Sequence, residues 1–80
     1  MKMDTIIEIL EELHPGVDYR TCTTLIDEHH LDSLDMISLV GELEDEYDIR
    51  IQAVEINPSN FNSAESIWAL VKRLLAEDQA

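Results

Sequence analysis

Eighty residues allow one small domain with a single modest core, so the expectation is one domain over residues 1–80 and no deep enzyme cleft. Eighteen Asp and Glu against five Lys and Arg leave a net charge of −13, which repels nucleic-acid phosphates and anionic lipid and suits basic protein surfaces. Apolar residues, 45% of the chain, recur at regular intervals, which sets the sequence apart from a disordered acidic tail.

The opening run MKMDTIIEIL is interrupted by Asp4 and Glu8 and lacks the unbroken apolar stretch of an export signal. No other segment approaches a membrane span, so a cytoplasmic protein without membrane contact is expected. Met3, Ile6, Ile7, Leu10 and Leu13 recur at three- and four-residue steps, with acidic residues largely opposite, and predict a first amphipathic helix. His14, Pro15 and Gly16 end it. From Val17 to His30 no period is sustained, yet Val17, Tyr19, Cys22, Leu25 and Ile26 are too apolar for a solvated linker, so an ordered loop packed on the helices is expected. Cys22 is the single cysteine, which rules out an internal disulfide and fits a small packing residue in a reducing compartment.

A second helix is predicted from an Asp32 cap, with Asp35 in its first turn, to Tyr47 or Asp48. Met36, Leu39, Val40, Leu43 and Tyr47 form its core arc. Leu34 and Ile37 fall off that arc, toward Gly41, Glu44 and Asp45; they read either as a docking patch with an acidic rim or as ordinary exposed hydrophobes. The connector DIRIQAVEI alternates enough at Ile49, Ile51 and Val54 to suggest a short strand, although no partner strand is evident. A short third helix follows, capped by Asn57 with Pro58 at its first position. The last helix has Asn62 and Glu65 in capping-box spacing, Ile67, Leu70, Val71 and Leu74 on one face, and Lys72 and Arg73 near its negative end. The fold class is all-α, a small helical bundle.

Ser33 by itself reads as a serine favoured at a helix start. His29 and His30 are near in sequence, but no third group orients either as a general base. With Asp27, Glu28 and Asp32 they match no standard zinc or calcium spacing, so no metal site is expected. The absence of a triad, metal cluster or glycine-rich phosphate loop argues against an enzyme.

The segment LDSLDMISLVGELEDEYDIRI resembles the attachment helix of acyl carrier proteins, in which Asp-Ser-Leu opens the second helix of a four-helix bundle. The likeness extends over most of the chain, including the long loop between helices 1 and 2 and the short helix 3. INPSNFNSAESIWALVKRL is similar to the C-terminal part of small free-standing carriers, including some that serve amino-acid-activating enzymes. The resemblance implies a covalent 4′-phosphopantetheine, taken from coenzyme A, on Ser33, with Asp32 and Leu34 in the motif read by a phosphopantetheinyl transferase. It assigns Asp35, Ile37, Gly41, Glu44 and Asp45 to the docking side for acyl- or aminoacyl-activating and acyl-transferring enzymes with basic patches. The implied role is that of a monomeric, non-enzymatic carrier of acyl or aminoacyl thioesters in fatty acid, polyketide, nonribosomal peptide or related biosynthesis; the alternative is an unmodified acidic helical adaptor or inhibitor. The sequence departs from fatty-acid carriers at Gly41, where they often have a larger apolar residue. Trp68 is expected at the edge of the last helix's apolar face, where an inward ring would limit room for a long acyl chain.

Overall fold

The computed structural model describes residues 2–78, which form α1 (Lys2–Leu13), α2 (Ser33–Tyr47), a 3₁₀ turn (Ala53–Glu55), α3 (Pro58–Phe61) and α4 (Ala64–Asp78). There is no strand among the described residues, and the all-α bundle with a long first loop and a short third helix is the fold class expected from the sequence. α1 packs against α2 and α4, and α3 caps the bundle against α4.

Ile6, Ile7 and Leu10 of α1 are buried, and Ile9 widens the buried arc beyond the stripe expected from sequence. The helix closes with the His14 N–H donating to the Leu10 carbonyl, and Gly16 then turns the chain at a φ of +101°. That value lies where a side chain is strained, which explains a glycine there. The long loop is ordered by Tyr19, Leu25 and Leu31, each buried in the core. The Tyr19 hydroxyl donates to the His14 carbonyl and ties the loop back to the end of α1.

α2 places Leu39 and Leu43 at the centre of the core, with Met36, Val40 and Tyr47 partly buried around them. It ends at Asp48, whose left-handed backbone (φ 54°) lets its N–H reach the Glu44 carbonyl. The strand suggested for the connector is not formed. Ile49 and Ile51 are both buried on one side of an extended segment, so the alternation was real, but the Ile51 N–H donates to the Glu44 carboxylate at 2.9 Å instead of to a neighbouring strand. Val54 then points outward, 76% exposed, in the 3₁₀ turn.

α3 starts as expected, with the Asn57 side chain accepting from the Asn60 N–H at 3.0 Å and Pro58 at its first position. Its Phe61 is fully buried. The box that opens α4 differs from the expected Asn62 and Glu65. Ser63 Oγ accepts from the Ser66 N–H at 3.0 Å and Ser66 Oγ accepts from the Ser63 N–H at 3.2 Å, one residue further on. α4 also runs a turn beyond Lys72 and Arg73, so neither lies in its last turn. Arg73 instead binds Glu55 at 2.7 Å and Glu77 at 3.3 Å, joining the 3₁₀ turn to α4. Trp68 is half-buried at the bundle's edge, its ring centroid 6.0 Å from that of Tyr47, with the Lys72 ammonium 5.6 Å above it.

Candidate functional site

The start of α2 is fixed by side chains on either side of Ser33. Asp32, in extended backbone, accepts from the Asp35 N–H at 2.8 Å, and Asp35 accepts in return from the Asp32 N–H at 3.3 Å. This reciprocal pair satisfies one of the donors that a helix start leaves without an intrahelical partner and sets the direction in which α2 leaves the loop. Leu31, just before it, is buried and acts as the anchor. Ser33 is therefore the first helical residue. It is exposed, and among the described residues its hydroxyl takes part in no hydrogen bond.

The residues singled out beside Ser33 divide into two groups. Leu34 (74% exposed) and Ile37 (70% exposed) project from α2 with Gly41 and Asp45, also exposed. Asp35 and Glu44 are more enclosed. Asp35 holds the helix cap and lies 3.5 Å from His14 Nδ1, while Glu44 holds the connector through Ile51. His29 lies on the loop with a left-handed φ of 60°, and His30 stands 3.4 Å from Glu28. Cys22 Sγ is half-buried, 3.8 Å from Thr24 Oγ1.

Two open apolar grooves meet beside α2. One, of about 140 Å³, lies between Ile26, Met36, Ile56 and Pro58. The other, of about 340 Å³, runs along Ile37, Val40 and Gly41 and shares Met36 and Ile56 with the first. Ile26 and Ile56 were absent from the expected site, because Ile26 read as loop packing and Ile56 lies at the end of the connector, outside the helical period of α2. Leu34 and Ile37 were legible because the helical period alone puts them off the core arc.

The site fits a serine-linked phosphodiester: an accessible hydroxyl without an internal partner, at a capped helix N-terminus that favours an anion. Residues 4–74 match the phosphopantetheine attachment site family. The chain thus belongs to the phosphopantetheine attachment site family. It is also 40% identical over 47 residues to an acyl carrier protein of Streptococcus thermophilus (strain CNRZ 1066). That segment covers 59% of this chain and 64% of the relative, so the chain spans less than two thirds of the relative's length.

Proposed function

We propose that Ser33 carries 4′-phosphopantetheine and that the chain works as a carrier, presenting a bound acyl or aminoacyl group to partner enzymes. The observation that carries this reading is the exposed, unengaged Ser33 hydroxyl at a firmly capped helix start. On attachment the Ser33 oxygen forms a bond to the phosphorus of the pantetheine phosphate in coenzyme A. The pyrophosphate P–O bond breaks, 3′,5′-adenosine bisphosphate leaves, and the serine proton passes to a base on the transferase. The group, when bound, supplies a terminal thiol that holds cargo as a thioester. The chain's own residues supply position and recognition.

Asp32 and Leu34 flank the hydroxyl and form the motif a transferase reads. Leu34, Ile37, Gly41 and Asp45 supply the outward docking surface, because their side chains or backbone are free to meet a partner. Asp35 and Glu44 contribute charge to that surface while their carboxylates hold the fold, so replacing either disturbs geometry as well as charge. Partners with Lys and Arg patches would be drawn to this acidic face and released readily, as a shuttle requires.

The test is intact mass after incubation with coenzyme A and a broad-specificity phosphopantetheinyl transferase. The parent should gain one phosphopantetheinyl group and Ser33→Ala none. A parent that gains nothing with several transferases would favour the unmodified adaptor.

A further inference from the structure

The loop segment that leads into Ser33 is a hydrogen-bonded turn over residues 25–29, in which the Glu28 N–H donates to Thr24 O at 2.9 Å and the His29 N–H to Ile26 O at 3.0 Å. A helical turn of this kind leaves the N–H groups of Leu25, Ile26 and Asp27 without local acceptors. In an ordinary helix a neighbouring residue takes them. Here a residue 36 positions from Ile26 does so. The Asn62 carbonyl accepts from Leu25 at 2.9 Å, and its side-chain oxygen accepts from Ile26 at 2.9 Å and Asp27 at 3.1 Å. Its amide nitrogen donates to the Asp27 carboxylate at 3.2 Å. The turn then closes on itself, because the Leu31 N–H returns to Leu25 O at 3.1 Å, and Asp32 and Ser33 follow at once.

We propose that Asn62 is a positioning residue for attachment at Ser33: from the α3–α4 corner it caps the turn that aims the start of α2. The proposal rests on the reading of Ser33 as the attachment residue. Asn62 touches neither the hydroxyl nor the docking residues; it acts through Leu25, Leu31 and Asp32. Leu25 and Leu31 are themselves buried, so loss of the clamp frees the turn without emptying the core. Leu34, Ile37 and Asp45 sit on α2 beyond the turn and continue to meet the transferase. The expected signature is therefore a fall in kcat with KM little changed, since small misplacements of a reacting atom are expensive in rate while docking is spared.

The experiment measures transferase kinetics with coenzyme A on the full chain, for the parent, Asn62→Ala, Asn62→Asp and the double variant Asn62→Asp with Asp27→Asn. In both single variants kcat should fall on the order of tenfold or more, because Asn62→Asp removes the donor and sets two carboxylates against each other. The double variant should recover most of the rate. The carboxylate at position 62 still accepts from the Ile26 and residue 27 N–H groups, and the amide at position 27 now donates back to it. Amide hydrogen exchange should accelerate at Ile26 and residue 27 in the single variants and stay slow at Leu39 and Leu43. Unchanged kcat in Asn62→Asp, or an equal loss in the single and double variants, overturns the proposal. If Asn62→Ala does not fold, the comparison of Asn62→Asp with the double variant decides alone. Failure of the parent to load at all would instead sink the reading of Ser33.

Discussion

Asp32 serves the site twice, as the residue before Ser33 and as the acceptor that fixes the first turn of α2. Asp32→Ala removes that acceptor and should cost about 1 kcal/mol of stability, seen as a lower urea midpoint with an unchanged helical spectrum. The Asp32 cap was legible from sequence, because an aspartate just ahead of an apolar helical period can accept from the free N–H groups of a first turn. The return bond to Asp35 was not, since that carboxylate was expected only to add favourable charge there. Capping-box spacing misled at α4, where Asn62 with Glu65 and Ser63 with Ser66 offer overlapping spacings. Tertiary structure chose the serines, because Asn62 is drawn away to Ile26 and Asp27. Local spacing holds no trace of a partner so far along the chain.

Among the elements, α2 joins core to surface. Leu39 and Leu43 fill the bundle, while Leu34, Ile37 and Gly41 face outward, and the helical period announced both sides. Gly41 has no conformational reason within the fold, since a Cβ added there would meet nothing within 4 Å. Gly41→Ala should accordingly raise stability by about 1 kcal/mol, measured by denaturant unfolding. An unchanged or lower midpoint would reveal a constraint at this position that the helix does not display. The connector was harder to read, because two buried isoleucines two residues apart suit either a strand or an extended segment. The deciding group was the Glu44 carboxylate, which takes the Ile51 N–H and leaves a sheet partner unnecessary. Glu55, similarly, is held below the ordinary carboxylate range by its hydrogen bond to Arg73, which fastens the 3₁₀ turn to α4.

At the scale of the whole molecule, charge and core pull in opposite directions. A net charge of −13 on a bundle of this size strains the compact state, and raising salt from about 0.01 M to about 0.15 M should lift the thermal midpoint by screening that repulsion. Alkali should act the other way through two phenols. Burial pushes Tyr19 and Tyr47 above their ordinary value of 10.0, with the Asp35 charge adding to the effect on Tyr19. Because the folded state holds these protons more tightly, their contribution is intact below pH 10.0 and is lost as pH rises through the folded values, so the urea midpoint should drop there. The helical bundle was legible from periodicity, and Ser33 was proposed from a resemblance carried by most of the chain, whereas the groove beside α2 draws Ile26, Met36, Ile56 and Pro58 from separate segments that only folding brings together. The central claim is that the arm goes to one particular serine. Its most direct test is fragment-ion mass spectrometry of the loaded protein, cleaved after Arg20 and Arg50 so that Ser33 and Ser38 share one peptide. All of the added phosphopantetheine should lie on Ser33; label on Ser38, or on a peptide holding Ser59, Ser63 or Ser66, would contradict the account.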